Sequence, residues 1–353
     1  MTEAYINYIS VAVPNHQIHN EFIAFARNSF DDRRNQSVFE RMVKRSGIDS
    51  RYSVLTVTPD PNPNSVSAYD FYHKTAFPKT RERMQVFERS APELLRSTLD
   101  RLRISEVDRE RVRHLIVTCC TGHYAPGLDF EIIEHLKLNP ETSRTMIGFM
   151  GCYAAINGLR LAQSIVRAHP DESVLLVSLE LCSLHLQQTQ DLSEMLSYLI
   201  FADGCAAAIV SSQQSGFAID SFRSIPLNGT RSHITWRIGD EGFLMHLSGD
   251  VPSDIEKLLR LQADTFPRKE DIALWAVHPG GRTVLDAVEQ GLMLSDHALT
   301  ASRDVLRSYG NMSSATVMFV LEKLMQSAKT GEQGFAISFG PGIVAETMKF
   351  HAI

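Results

Sequence analysis

The chain has 353 residues, of which 44% are hydrophobic and 22% charged, with a formal net charge of −6 at pH 7. That composition describes a globular protein with ample core-forming residues, in one large domain or two closely packed halves. The acid excess argues against nucleic acid or an anionic membrane surface as partner, and no apolar run reaches the length a membrane-spanning helix needs. The N-terminal stretch "MTEAYINYISVAVPNHQIHN" shows neither a charged n-region nor a long apolar h-region, so the chain is read as cytoplasmic. Five cysteines, Cys119, Cys120, Cys152, Cys182 and Cys205, form no repeated CxxC pair. Reduced thiols are therefore expected rather than a disulfide framework, and no metal site is expected.

In chain order, the first third reads as charged and helix-like, including "NQSVFERMVKRSGIDSRY" and "ERSAPELLRSTLDRLRI". "VRHLIVTCC" reads as a buried strand, being short, β-branched and followed by the turn formers of "TGHYAPG". A buried helix is predicted from Cys152 to about Ala168, stopped by Pro170. "SVLLVSLELC" and "GCAAAIVSS" read as further buried strands. The second half alternates in the same way, with a strand in "IALWAVHPGG", helices in "RTVLDAVEQGL" and "NMSSATVMFVLEKLMQ", then strands in "GFAISFGPG" and "VAETMKFH". Strand and helix alternating twice over favour an α/β layered fold. Ser211 to Phe222 is the plausible boundary, giving halves 1–215 and 216–353.

Three residues carry candidate chemistry. Gly151 permits close approach or an unusual backbone angle just before Cys152, and the helix behind would aim its free N–H groups and dipole at the sulfur, lowering the thiol pKa. His278 closes the strand "IALWAV" and should emerge at the C-terminal strand end, where α/β folds place ligands. Asn311 follows a glycine at the expected start of a helix. Taken singly, the three also fit a core cysteine, a strand-end histidine and an N-cap asparagine. Together they supply a thiolate, an imidazole and an amide donor, the parts of a thioester-processing site.

The motifs "GFMGCYAAINGLRLA", "AVHPGGR", "YGNMSSATVMFVLE" and "SFGPGIVAE", in that order, resemble the type III polyketide synthases, the chalcone-synthase-like branch of the thiolase fold. "VTCCTGHYAPGLDFEIIEHLKL" and "LIFADGCAAAIV" extend the resemblance over nearly the whole chain. It implies a five-layer αβαβα fold of two similar halves, usually a homodimer, with malonyl-CoA and an acyl-CoA starter as substrates and no further cofactor. Cys152 would carry the growing chain as a thioester. His278 and Asn311 would donate to the malonyl thioester carbonyl, and His278 would pair with Cys152 as an ion pair. Phe201 matches the gatekeeper, and Gly340 and Pro341 belong to the loop "FGPG" over the cavity.

Arg41, Lys44 and Arg45 in "FERMVKRSG" correspond to the coenzyme A phosphate contacts, although Val38 replaces one expected basic residue. The cavity departs from the plant enzymes at Cys120, Thr121, Cys182, His185, Trp236 and Met245, while Ser313 is kept. A tryptophan at position 236 adds an aromatic body that should block an aromatic-starter pocket. These substitutions resemble the bacterial type III enzymes: Cys120, Cys182 and Trp236 are similar to the naphthalene synthases, whereas "APGLDFEIIEHL" and "WRIGDEGF" resemble the alkylresorcinol and alkylpyrone synthases, with a fatty acyl starter. The alternatives are a tetrahydroxynaphthalene-type synthase using malonyl-CoA alone, and an initiating β-ketoacyl-carrier-protein synthase, against which "HPGGR" stands in place of an "HQAN" segment. A papain-like hydrolase and a catalytically silent acyl-binding scaffold are more distant.

Overall fold

The computed structural model describes residues 2–57, 65–72, 76–102 and 104–353. Eleven strands matter to the site. They are β1 (Tyr5–Ala12), β2 (Val112–Cys119), β3 (Ser143–Gly148), β4 (Ser173–Leu181), β5 (Asp203–Ser211), β6 (Phe217–Pro226), β7 (Ile234–Gly239), β8 (Gly242–Leu247), β9 (Leu274–Val277), β10 (Gln333–Gly340) and β11 (Val344–Ala352). The principal helices are α1 (His19–Ser29), α2 (Arg33–Arg45), α3 (Thr80–Arg101), α4 (Leu128–Leu136), α5 (Ala154–Ala168), α6 (Leu192–Ile200), α7 (Val251–Leu261), α8 (Arg282–Gly291), α9 (Thr300–Tyr309) and α10 (Thr316–Met325). Arg103, inside the predicted helical run after Glu88, lies outside the described residues.

Nine strands form one hydrogen-bonded order, β9-β10-β11-β6-β1-β5-β4-β2-β3, and the order contains its own repeat. In the N-terminal half β2 runs parallel to β4, β4 antiparallel to β5, and β5 antiparallel to β1. In the C-terminal half β9, β10, β11 and β6 repeat those relations in the same sequence. The halves meet where Tyr5 and Ile6 pair with Ala218 and Phe217. The boundary expected after Ser215 falls between the end of β5 and the start of β6.

The layers follow from the burial of alternate residues, which a strand sends to opposite faces. In β4, Val174 and Leu176 join a central apolar cluster, whereas Leu175, Val177, Leu179 and Leu181 join an outer one. In the other half, Ala276 and Ala336 face the same central cluster while Trp275, Val277, Phe335 and Ile337 face a third. Helices α5 and α10 fill the central layer through Ile156, Leu159, Ala162 and Val166 and through Val317 to Leu321. Helix α3 covers one outer face, and α7 and α8 cover the other. The result is the five-layer αβαβα fold of two similar halves.

One feature differs from the sequence expectation, and two lie where the sequence reading named no element. Residues Gly151–Tyr153 form a 3-10 turn, and α5 begins at Ala154 rather than at Cys152. Ser143–Gly148 is an edge strand, paired only to β2 and largely exposed. The segment holding Trp236 and Met245 is a hairpin, β7–β8, in which those two residues are paired. Among the described residues no helix is long and apolar enough to cross a membrane.

Candidate active site

A cavity of about 710 Å³ lies at the ends of the central layer. Cys152, His278 and Asn311 all line it, although 159 residues of chain separate the first from the last. So do Phe201, Cys120, Thr121, Cys182, His185, Trp236, Met245, Ser313, Gly340 and Pro341. Of the three basic residues assigned to coenzyme A, Arg45 reaches the cavity, while Arg41 and Lys44 are exposed on α2 and do not line it. Arg282, which sequence reasoning did not single out, also lines this region, and its Nη1 donates to Arg45 O at 3.3 Å.

Gly151 positions the nucleophile. It has φ +72°, a region that favours glycine, and Pro341 sits over its α-carbon. The turn then presents Cys152 just ahead of α5, half-buried, with its thiol 3.9 Å from Ser313 Oγ. Ser313 itself holds φ +48°, a strained conformation for a non-glycine residue that aims its hydroxyl at this sulfur.

The electrostatics correct one expectation. Burial, with a smaller contribution from the carboxyl of Glu180, leaves the Cys152 thiol pushed up to about 11. Hydrogen bonds from Ser313 and Asn311 and the turn's own N–H oppose this without overcoming it. Burial likewise holds the His278 imidazole down to about 3, the direction opposite to the one an ion pair with Cys152 needs. Desolvation outweighs the helix terminus here because burial penalises a lone charge on the sulfur by more than a helix dipole returns.

Two histidines line the cavity, and their hydrogen bonds separate them. His185 Nδ1 accepts from Phe243 N at 3.1 Å, which leaves Nε2 to donate to Thr121 O at 2.7 Å. Its ring is stacked on Phe243 with centroids 4.4 Å apart, and burial holds it neutral too. His185 is therefore fully committed to the wall. His278 is 1% exposed, yet neither ring nitrogen has a hydrogen-bond partner among the described residues. Leaving both nitrogens unpaired is costly unless a ligand group completes them.

Asn311 is oriented by its neighbours. Its Oδ1 accepts from Ser313 N at 2.9 Å and from Thr316 Oγ1 at 3.3 Å, so the amide nitrogen is the group left for the cavity. Nδ2 makes a long contact to Gly280 O, 3.4 Å, and also bears on the Cys152 sulfur. Asn311 is thus held by a side-chain turn onto Ser313 N rather than as the expected N-cap, a position taken by Met312 and Ala315, and it keeps a donor beside the loop that follows His278.

The wall on the hairpin side is rigid. Trp236 Nε1 donates to Cys120 O at 2.7 Å, and its ring meets His185 and Phe243 edge-on. Cys120 Sγ accepts from Gly151 N at 3.1 Å. Sequence reasoning missed Glu180, a fully buried carboxyl behind this wall. It accepts from Ser314 Oγ at 2.5 Å, Thr121 Oγ1 at 2.7 Å and Cys120 N at 3.0 Å, and burial raises it to about 7. Its only sequence signal is a carboxylate inside an otherwise apolar strand. On the opposite side a second, apolar cavity of about 260 Å³ shares Cys182, Tyr198 and Phe201 with the first.

The N-terminal domain description of the chalcone and stilbene synthases matches residues 2–214, and the C-terminal domain description matches residues 219–353. The chain is 35% identical over 254 residues to the alpha-pyrone synthesis polyketide synthase-like Pks18 of Mycobacterium tuberculosis, covering 68% of this chain and 65% of that one. The match to a putative chalcone synthase of Bacillus subtilis is 30% identical and covers 68% and 71%. Among solved structures, PKS-I from the brown alga Ectocarpus siliculosus superposes with a TM-score of 0.91 at 31% identity, covering 100% of this chain and 99% of that one. The 1,3,6,8-tetrahydroxynaphthalene synthase of Streptomyces coelicolor superposes at 0.87 and 26% identity, covering 99% of each. With both family domains matched in order and the thiolase-like layers in place, the chain belongs to the chalcone and stilbene synthase family, the type III polyketide synthases.

Proposed function

We propose that this protein is a condensing acyltransferase that extends a fatty acyl starter with malonyl-CoA and closes the chain to an alkylpyrone or alkylresorcinol. The observation that carries the reading is the convergence of Cys152, His278 and Asn311 on one cavity, with His278 buried and unpartnered. Cys152 sulfur attacks the starter thioester and expels the coenzyme A thiol, the Cys152 proton passing through His278. In this order the neutral His278 fits the role, since no standing charge has to be kept on a buried ring. Malonyl-CoA then loses carbon dioxide, and the electron pair left on its α-carbon is delocalised onto the thioester oxygen. His278 and Asn311 Nδ2 hold that enolate oxygen. The enolate carbon attacks the Cys152 thioester and releases the sulfur, leaving a chain two carbons longer on coenzyme A, ready to return to Cys152.

The starter follows from the walls. Trp236 is locked by its hydrogen bond to Cys120 O, whereas the Phe201 and Cys182 side borders the second apolar cavity. A flexible acyl chain fits that side, and a bulky aromatic starter does not fit the other. Arg45, with Arg41 and Lys44 behind it on α2, supplies positive charge for the coenzyme A phosphates at the cavity mouth. The exposed edge of β3, with Met146 and Phe130 beside it, suits pairing with a second copy, and we take the working unit to be a homodimer.

Incubating the protein with malonyl-CoA and starters of graded length, and identifying products by mass, tests the reading. Alkylpyrones or alkylresorcinols from long-chain starters support it. Tetrahydroxynaphthalene from malonyl-CoA alone, or activity only with acyl carrier protein, contradicts it.

A further inference from the structure

Tyr198 and Phe201 stand at the junction of the two cavities. Both are at the C-terminal end of α6, where a helix leaves its last carbonyls without intrahelical partners. Arg51 fills that need. It is 1% exposed, and its Nη1 donates to Phe201 O at 2.6 Å and to Tyr198 O at 3.0 Å. Its Nε donates to His19 Nδ1 at 3.0 Å, and its guanidinium carbon lies 4.6 Å from the ring centroid of Phe22. Arg51, His19 and Phe22 are thus a clamp built from the N-terminal segment onto α6. Burial works against the Arg51 charge and lowers its pKa to about 9, while the carboxylate of Asp203 and the helix C-terminus offset part of that cost.

The clamped segment reaches into the catalytic machinery. Asn311 N donates to Ile200 O at 2.8 Å, and Ala202 N donates to Asn311 O at 2.9 Å, so Phe201 and Asn311 share one short parallel bridge. Gly310 packs over the arginine with φ +73°, and a Cβ there would lie 2.8 Å from Arg51 Cγ and from Ile200 O. Arg51 also lines the second cavity, so the same side chain bounds that space and fixes its partition. The arginine reaches the histidine and the two carbonyls from two different nitrogens of a planar fork, a span that a lysine ammonium, with its three donors on one nitrogen, does not match.

We propose that Arg51 is a positioning residue that fixes Phe201 at the passage between the two cavities and thereby sets which starter acyl lengths the enzyme takes. The inference rests on the acyl-starter reading above. Arg51 touches no reacting atom; it acts through the backbone of Tyr198 and Phe201.

The test compares wild type, Arg51→Lys and Phe22→Leu with hexanoyl-CoA and palmitoyl-CoA at saturating malonyl-CoA, together with the thermal midpoint of each protein. The ratio of kcat/KM for palmitoyl-CoA to that for hexanoyl-CoA is expected to shift by about fivefold or more in Arg51→Lys, carried by KM, and by about twofold in the milder Phe22→Leu. A purely structural arginine would lower the thermal midpoint and reduce both starters alike, so an unchanged ratio in a folded variant overturns the proposal. If Arg51→Lys does not fold, Phe22→Leu decides by the same ratio. If neither folds, Arg51 serves the fold alone and the proposal falls. A wild-type protein inactive with both acyl-CoAs sinks the starter reading and this proposal with it, whereas an active wild type with unshifted variants overturns only the role of Arg51.

Discussion

The pyrrolidine ring of Pro341 occupies the space over the α-carbon of Gly151, so that a Cβ built there would lie 2.4 Å from Pro341 Cδ. The roof of the cavity and the turn that offers Cys152 are therefore fitted to one another across 190 residues of sequence. Gly151→Ala meets both this contact and the positive φ, and should cost about 1–3 kcal/mol of stability. Displacing the sulfur should cost more in activity than in stability, about a hundredfold in kcat. Denaturant unfolding and steady-state kinetics on the same variant check this; a loss of stability with kcat unchanged would show that Cys152 tolerates the shift.

Trp236 is a wall held at one point by its indole N–H on Cys120 O. Trp236→Gly should open the chamber on that side, so that bulky aromatic starters are accepted and the product profile changes. Trp236→Phe keeps ring bulk but removes the hydrogen bond, and should retain the starter preference while losing about 1 kcal/mol of stability. Product analysis across starters reads both. An identical profile in Trp236→Gly would remove the steric role.

Glu180 makes stability depend on pH. Its folded pKa is raised from 4.5 to about 7 by burial, so the folded protein holds this proton more tightly than the unfolded chain. The contribution is fully present below about pH 4.5 and is lost as pH rises through about 7, amounting to about 3 kcal/mol at most. Glu180→Gln removes the titration while keeping an acceptor for Thr121 and Cys120 N. Its thermal midpoint should therefore fall less than that of wild type between pH 5.5 and pH 8. Parallel curves for the two proteins would mean that Glu180 does not titrate in that window.

Strand β3 is paired on one side only, and Met146 on it is 45% exposed. If this edge is where a second copy docks, Met146→Lys should weaken the dimer, moving the mass measured by light scattering toward that of the monomer at micromolar concentration. A wild-type monomer, or a dimer indifferent to the change, would place the working unit elsewhere.

The legible parts of this molecule are those whose signal is local. Strands β4 and β5 read as apolar runs because both of their faces are buried, and the helix of α5 reads from its spacing. Cys152, His278 and Asn311 were legible by the company of their motifs. Strand β3, "SRTMIG", was not, because an exposed edge carries no alternation of burial for the sequence to record. Arg41 and Lys44 share α2 with Arg45, yet only Arg45 reaches the cavity, and helical spacing alone does not say where a helix ends relative to a cleft. The thiol of Cys152 was expected low from the helix terminus; its burial comes from residues far away in sequence, such as Ser313 and the roof at Pro341. Arg51 and Glu180 were missed for the same reason, since the carbonyls that Arg51 holds and the hydroxyls that Glu180 binds come from segments more than fifty residues distant.

The claim on which the account turns is that Cys152 receives the starter acyl group. Intact-mass measurement after incubation with palmitoyl-CoA in the absence of malonyl-CoA tests it most directly. The account predicts a single added palmitoyl group that maps to the peptide holding Cys152 and is absent from Cys152→Ala of unchanged thermal midpoint. An adduct that persists in Cys152→Ala, or that maps to Cys120 or Cys182, would contradict it.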